Sequence, residues 1–167
     1  MTANIRKLIY LSPEEIKPNP KNPRKHDRAQ IQALAKSVQA FEFNAPILLD
    51  RYKQIVAGHA RWQAARLLKF ALVPVILLDD LNDAQAQAYM LADNKLTDRS
   101  SWDEPLLAAH LKELSELAID FDIEATGFEK PEVDFRTLCL DNPGDDAADD
   151  FEYAKGRPTT TGGTFGF

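Results

Sequence analysis

The stretch Ile55-Val-Ala-Gly-His-Ala-Arg-Trp62 has the composition of a strand that runs through a glycine into the first turn of a helix. Backbone N–H groups at a helix start, the helix dipole and a guanidinium one turn further on together suit an oxyanion such as phosphate. Gly58 and Arg61 are therefore candidate phosphate ligands, although a plain turn with a surface arginine has the same pattern. His59 is open to three interpretations: a general base, a phosphate hydrogen-bond donor or a structural capping group.

A second candidate site is the adjacent pair Asp93 and Asn94, near the predicted end of another helix. Carboxylate and carboxamide oxygens suit Mg²⁺ held against substrate phosphates. The alternative is that Asn94 terminates the helix and Asp93 only solvates its end. A third candidate is Arg24, which follows Pro23; this proline either directs the arginine toward a site or merely stiffens a surface loop.

Short apolar runs supply the strands that position these residues. The runs Pro46–Asp50 and Gln54–Ala57 predict a two-stranded hairpin, and Val73–Leu78 predicts a third strand. Before them, three prolines within Pro18–Pro23 exclude a helix and force an extended, shaped loop.

Caps and apolar spacing predict five helices. One begins after Asp27 with Gln30 as its capping-box partner, and its apolar face is Ile31, Leu34, Ala35 and Val38. The second runs from His59 to Leu68. The third follows the Asn82 cap, should end near Asn94, and is expected to bury Ala84, Ala88, Leu91 and Ala92. The fourth is Asp103–Ala118, with the stripe Leu107, Leu111, Leu114 and Ala118. A short fifth helix is expected over Glu129–Leu138.

Composition indicates one globular domain. The chain has 167 residues, of which 44% are hydrophobic and 28% charged, values typical of soluble proteins. The single Cys139 allows no internal disulfide, which favours a reducing cytoplasm, and no apolar run is long enough for a signal peptide or a membrane helix. We expect a domain with a helical extension over residues 1–140 and a disordered acidic and Gly/Thr-rich tail over 141–167.

Charge divides the chain into unlike parts. Residues 1–70 contain 13 Lys/Arg and 5 Asp/Glu, a net charge of +8, whereas residues 71–140 carry −10 and residues 141–167 carry −4. A basic half suits a phosphate-bearing partner. The alternative is a soluble surface whose oppositely charged halves attract each other.

Four segments in this order resemble the ParB N-terminal, or ParB/sulfiredoxin, domain: Pro18–Arg24, Ser37–Ile47, Ile55–Ala65 and Ala92–Leu96. The resemblance covers roughly residues 8–138 and is strongest to the ParB-like nuclease domains at the front of phage and bacterial DNA-modification methyltransferases. It implies an α+β fold, a small mixed sheet flanked by helices.

The resemblance also implies a nucleotide site. Carried over by position, Gly58, His59, Ala60 and Arg61 would line the phosphates, and Asp93 and Asn94 would stand at a magnesium ion. The segment Phe43–Ile47, with Asn44 and Pro46 as nucleotide-binding candidates, would lie near the base or sugar, and Arg24 would approach from the proline loop. The implied cofactor is a nucleoside triphosphate, CTP or ATP, with magnesium. At position 42, where ParB usually has glycine, this chain has Glu42.

Function follows from the same resemblance. The leading expectation is a nucleotide-binding domain that acts on or beside DNA as an accessory of a DNA-modification methyltransferase, with weak, non-specific DNA binding and, as a further option, a homodimer. The alternatives are a metal-dependent DNA nuclease with His59 and Asp93 as catalytic candidates, an NTPase or phosphotransferase-like module, or a scaffold. Sulfiredoxin activity is excluded because His59 stands where the nucleophilic cysteine is needed. We find no methyltransferase motif and expect no helix-turn-helix, so the chain is interpreted as a stand-alone form or a truncated fusion.

Overall fold

The computed structural model describes residues 6–97 and 100–141. Its centre is a four-stranded sheet in the order β1-β4-β2-β3, formed by β1 (Leu8–Leu11), β2 (Ile47–Leu49), β3 (Ile55–Ala57) and β4 (Val73–Leu77). The β2 strand pairs antiparallel with β3 and parallel with β4, whereas β1 pairs antiparallel with β4. The helices are α1 (Arg28–Phe41), α2 (His59–Leu67), α3 (Asp83–Thr97), α4 (Glu104–Glu116) and α5 (Lys130–Asp141). The expected tail over 141–167 lies, except for its first residue, outside the described residues.

Both faces of the sheet are covered, so the strands read as apolar runs rather than as alternating patterns. One face packs around Ile47, Leu49, Ile55, Trp62, Val73 and Val75. The other face packs around Val56, Leu78, Ala86 and Met90. The predicted hairpin and third strand are confirmed. Strand β1 was not predicted, because it has only four residues and half of it, Leu8 and Tyr10, is exposed at the sheet edge.

The predicted helix starts are confirmed by their hydrogen bonds. Asp27 and Asp103 each accept a backbone N–H from the first turn of α1 and α4, respectively. Asn82 and Gln85 form both bonds of a capping box before α3, at 2.9 Å each. The predicted role of Gln30 as capping-box partner of Asp27 is wrong, because its side chain bonds the Nδ1 atom of His26 at 3.0 Å.

The predicted inner face of α3 is wrong. Ala84, Ala88, Leu91 and Ala92 are exposed, Leu91 to 48% of its surface, whereas Ala86 and Met90 are buried against the sheet. Alanines at alternate positions give no decisive helical period, so the large Met90 side chain determines which face packs. Residues at i, i+4 and i+7 share a face, so Asp93 lies on the side of Ala86 and Asn94 on the side of Met90, and both turn inward. The predicted end near Asn94 is also wrong, because α3 continues to Thr97.

Helices α4 and α5 pack together around Leu107, Leu111 and Val133. The 3₁₀ helix Ile123–Thr126 between them joins this pair to α1, through an ion pair between Lys36 and Glu124. The fourth helix ends at Glu116, so Ala118, expected to be on its buried stripe, is exposed. The fifth helix is present and extends to Asp141 rather than Leu138.

Glu42 ends α1 in a strained conformation, with φ 65° and ψ −171°. This region is essentially restricted to glycine, and another residue there costs roughly 1–3 kcal/mol. We therefore expect Glu42→Gly to stabilise the protein by about 1 kcal/mol and to raise Tm by roughly 2–4 °C, measured by thermal unfolding. The control Gln39→Gly, in an exposed helical position, should instead lower stability by about 1 kcal/mol. A loss of stability in Glu42→Gly similar to that in Gln39→Gly would contradict the strain at residue 42.

Candidate functional site

Gly58 joins β3 to α2 in a left-handed conformation, with φ 100° and ψ 27°. This conformation is readily adopted only by glycine. No side chain caps the helix that follows, so the first backbone N–H groups of α2 have no side-chain acceptor. The helix itself is firmly held, because Ala64 and Ala65 are fully buried and the Trp62 indole donates to the Pro13 carbonyl at 2.9 Å. The turn is a rigid, uncapped helix start.

The Arg61 guanidinium lies directly over this turn. A Cβ atom built on Gly58 would be 3.1 Å from Arg61 Nε and 3.2 Å from the Nη2 atom. Burial lowers the pKa of Arg61, and the negative charge of Asp93 opposes this effect. Within residues 6–97 and 100–141, no hydrogen bond or ion pair satisfies the guanidinium. A partly desolvated cation beside uncapped N–H groups is a fitting site for an oxyanion.

His59 is buried at 9% exposure, and its Nε2 atom accepts the backbone N–H of Asn19 at 3.3 Å. Burial, with a smaller contribution from the positive charge of His26, lowers the pKa of His59 to about 4. The imidazole is therefore neutral near pH 7, with Nε2 already engaged. Its predicted roles at a phosphate or as a general base stay predictions.

The low pKa of His59 makes stability depend on pH. An unfolded histidine binds a proton near pH 6.5, whereas the folded one does so only near pH 4, so acid favours the unfolded state between these values. We expect the contribution of this residue to stability to be complete above pH 6.5 and to fall by roughly 2–3 kcal/mol as pH drops to 4. Denaturant unfolding of the wild type and His59→Gln, compared across this range, measures the difference; parallel curves would contradict it.

The proline loop, Pro18–Arg24, runs past the same turn. It starts beside β3, where Lys17 exchanges two backbone hydrogen bonds at 2.9 Å with Lys53 and Ile55. At its other end the Nη1 atom of Arg24 donates to the Asn94 carbonyl at 3.2 Å. The loop therefore spans from β3 to the last turns of α3.

Asp93 and Asn94 lie in the last turns of α3, on the side that faces the loop. The Asn94 amide donates to the Met90 carbonyl at 2.9 Å, which leaves its Oδ1 atom for other contacts. No cluster of three or more His, Cys, Asp or Glu side chains able to hold a metal occurs among the described residues. A magnesium ion here would need phosphate oxygens in addition to these two side chains. Its presence stays a prediction.

The remaining nucleotide candidates lie in the segment between α1 and β2. The Asn44 amide donates to the Phe41 carbonyl at the end of α1, and Pro46 is half-buried just before β2. Phe43 packs edge-on to Phe70, with ring centroids 6.0 Å apart. The roles of Asn44, Pro46 and Ala60 at a nucleotide stay predictions.

Sequence reasoning missed Asn19, the residue that joins the loop to His59. A signal was present: Asn19 lies between Pro18 and Pro20, so its N–H is isolated among residues that lack this donor. The sequence did not reveal its acceptor, which lies 40 residues away.

Comparison with known proteins identifies the family. Residues 2–95, more than half of the chain, match the model of the ParB N-terminal domain. The chain belongs to the ParB N-terminal domain family. The predicted resemblance is thus confirmed, and this ParB-type domain is followed by a match of residues 105–161 to the ParB-methyltransferase HTH domain.

The relatives differ in how much of them this ParB-type chain covers. It is 40% identical over 81 residues to the ParB-like nuclease domain-containing protein YnaK of Escherichia coli, covering 48% of this chain and 93% of YnaK. It is 35% identical over 82 residues to a probable chromosome-partitioning protein ParB of Rickettsia bellii, of which it covers 28%. It therefore spans about a quarter of that partitioning protein.

A solved structure supports the fold assignment. The C-terminally truncated chromosome-partitioning protein ParB from Caulobacter crescentus, complexed with CTP-gamma-S, superimposes with a TM-score of 0.71 at 21% identity. The match covers 89% of this chain and 85% of that chain. The predicted α+β, ParB-type fold is confirmed.

The expectation that no helix-turn-helix follows is wrong. Residues 105–161 match the ParB-methyltransferase HTH domain, and the described part of this match contains most of α4, the 3₁₀ helix Ile123–Thr126 and α5. This domain was not recognised in the sequence because residues 103–141 contain 3 Lys/Arg against 11 Asp/Glu, a net charge of −8, which is unlike a DNA-binding segment.

Proposed function

We propose that this chain binds a nucleoside triphosphate through its phosphates at the Gly58 turn. The observation that carries this is the half-buried Arg61 guanidinium, which lies over Gly58 beside an uncapped helix start. The N–H groups at the start of α2 and the guanidinium would donate to the same phosphate oxygens. Asp93 and Asn94 would hold magnesium against those oxygens, and Arg24 would approach from the proline loop. The CTP-gamma-S complex of the Caulobacter ParB supports CTP as the first nucleotide to try, with ATP second.

Isothermal titration of the full chain with CTP, ATP, GTP and UTP, each with and without Mg²⁺, tests this proposal. Saturable binding of at least one triphosphate, weakened when Mg²⁺ is removed, is the expected result. Binding of none of the four at millimolar concentration would refute it. Phosphate release, followed in the same samples, distinguishes an NTPase from a binding module.

We further propose that the chain acts on or beside DNA, in the cytoplasm, as an accessory of a DNA-modification methyltransferase. The match to the ParB-methyltransferase HTH domain supports this partner, as a domain or a separate protein. No helix in the described part of the chain is long and apolar enough to cross a membrane. Co-purification and DNA methylation assays with a methyltransferase encoded by a neighbouring gene test whether the two proteins act together. Light scattering over a range of concentrations tests the homodimer.

DNA contact is assigned to the basic first 70 residues rather than to α5. Arg136 of α5 is buried and ion-paired with Glu104 and Glu132, and the Lys130 Nζ atom lies 3.6 Å from a carboxylate oxygen of Asp122. Both cations of α5 therefore already have carboxylate partners in the protein. The basic part, by contrast, has exposed cations along and after the proline loop, which include Lys21, Lys25 and Arg28.

We therefore expect weak, sequence-blind duplex binding that falls steeply with salt. Replacing Lys21, Lys25 and Arg28 by glutamate should abolish most of it and reduce the slope of log K against log salt by up to about 3. The matched variant Lys130→Glu should bind like the wild type. Fluorescence anisotropy at several salt concentrations measures the DNA affinity of both variants. If only Lys130→Glu loses binding, the DNA contacts α5 rather than the first 70 residues.

A nuclease is the second candidate, favoured by the name of the Escherichia coli relative. Metal-dependent cleavage of plasmid DNA that is lost in Asp93→Asn would support it. Binding without cleavage supports the accessory role.

A further inference from the structure

The proline loop is almost self-contained in its backbone hydrogen bonding. Three of its seven residues are prolines and have no N–H group: Pro18, Pro20 and Pro23. Three other N–H groups donate within the loop at 3.0–3.2 Å, and these belong to Lys21, Asn22 and Arg24. The seventh residue is Asn19, whose N–H donates outside the loop, to His59 Nε2. This bond connects the loop backbone to the first residue of α2.

The chemistry of His59 suits a fixed acceptor. A neutral imidazole has one N–H and one lone pair, so acceptance at Nε2 assigns the proton to Nδ1. Burial favours the neutral form. A second contact strengthens the placement, because the Asn19 amide lies 3.8 Å from the Met90 sulfur on α3. Asn19 is thereby held between the start of α2 and the middle of α3.

We infer that His59 is a positioning residue, whose side chain fixes the proline loop against the Gly58 turn through Asn19 and does not itself contact the nucleotide. This rests on the proposed function. Since Arg24 follows in the same loop and reaches the Asn94 carbonyl, the bond at Asn19 sets the distance between the loop cation and Arg61 on α2. Loss of the hydrogen bond between Asn19 and His59 frees the loop and thereby weakens nucleotide binding indirectly.

The first arm of the experiment needs no ligand. Amide hydrogen exchange at Asn19 and trypsin cleavage after Lys21 are compared in the full-length wild type, His59→Gln, His59→Leu and a control, His110→Leu, whose position on α4 is exposed. Glutamine offers an acceptor at similar reach, whereas leucine offers none. We expect exchange and cleavage at least tenfold faster in His59→Leu, with His59→Gln and His110→Leu close to the wild type. Exchange at Val75 in the buried β4 reports whether each variant is folded.

If His59→Leu does not fold, the nitrogen NMR spectrum of the wild type still tests whether His59 accepts the Asn19 N–H. This spectrum should show an unprotonated Nε2 and a coupling across the hydrogen bond to the Asn19 nitrogen. A proton on Nε2, or unchanged Asn19 exchange in a folded His59→Leu, overturns the inference.

The second arm measures affinity for CTP, or for whichever triphosphate binds the wild type. His59→Leu should lose about 3- to 10-fold, the range expected for one hydrogen bond, and His59→Gln should restore the wild-type value. Equal losses in Gln and Leu would show that His59 contacts the nucleotide directly. If the wild type binds no triphosphate, the proposed function fails, while the Asn19 exchange comparison still decides the role of His59.

Discussion

Arg61→Ala should lower nucleotide affinity by about 10- to 150-fold, the largest effect we expect from a single side chain. A charge-assisted hydrogen bond to phosphate contributes roughly 1.5–3 kcal/mol, and ~1.4 kcal/mol corresponds to one decade of affinity. Arg61 suits this role because its guanidinium is partly desolvated and already lies over the uncapped start of α2. Titration with the triphosphate that binds the wild type measures the loss.

Arg66 provides a matched control on the same helix. It lies above the Trp62 ring, with its guanidinium carbon 5.0 Å from the ring centroid, and its Nε atom is 3.5 Å from a Glu14 carboxylate oxygen. Arg66→Ala removes the same charge from the chain but no contact at the Gly58 turn. Its affinity should stay within about twofold of the wild type. If Arg61→Ala and Arg66→Ala lose similar affinity, the effect comes from overall charge, and the Gly58 turn does not bind the nucleotide.

Gly58→Ala should weaken nucleotide binding, but less than Arg61→Ala, because it shifts the guanidinium rather than removing it. The added Cβ atom would meet Arg61 Nε and Nη2 at 3.1 and 3.2 Å, so the guanidinium would have to move by a few tenths of an ångström. The positive φ also makes alanine unfavourable at this position, which lowers stability by roughly 1–2 kcal/mol. Thermal unfolding and nucleotide titration of the same samples separate the two effects.

Gly127→Ala isolates the backbone effect. Gly127 has a similar φ of 95°, but a Cβ atom there would meet nothing within 4 Å. Both variants should lose comparable stability, and only Gly58→Ala should lose nucleotide affinity. If Gly127→Ala weakens binding equally, or if Gly58→Ala binds normally, the close approach of Arg61 to Gly58 has no part in recognition.

Local patterns determined most of the secondary structure. Asp27, Asn82 and Asp103 cap helices where their spacing predicted, because a cap depends on residues within one turn of each other. The strands β2, β3 and β4 were recognised because a sheet covered on both faces requires continuous apolar runs. Strand β1 has only four residues, too few to show a recognisable apolar pattern.

The orientation of α3 shows where local patterns fail. Alanines outline several faces of this helix equally well, and only contact with the sheet selects the face of Ala86 and Met90. The choice matters for the site, since it directs Asp93 toward Arg61 and the Asn94 carbonyl toward Arg24. A helix face is decided by what it packs against whenever its own residues are similar in size.

The sequence by itself determined the family, the strand-glycine-helix turn and the residue types able to bind phosphate, because these are encoded in residues that are neighbours along the chain. Only the tertiary structure decided which groups meet there: Asn19 with His59 across 40 residues, and Arg24 with Asn94 across 70. Such pairs depend on how the sheet and helices pack, a property of the whole fold that no local spacing encodes. The tertiary structure also decides the position of Arg61 over Gly58, which depends on the left-handed turn and on the burial of α2.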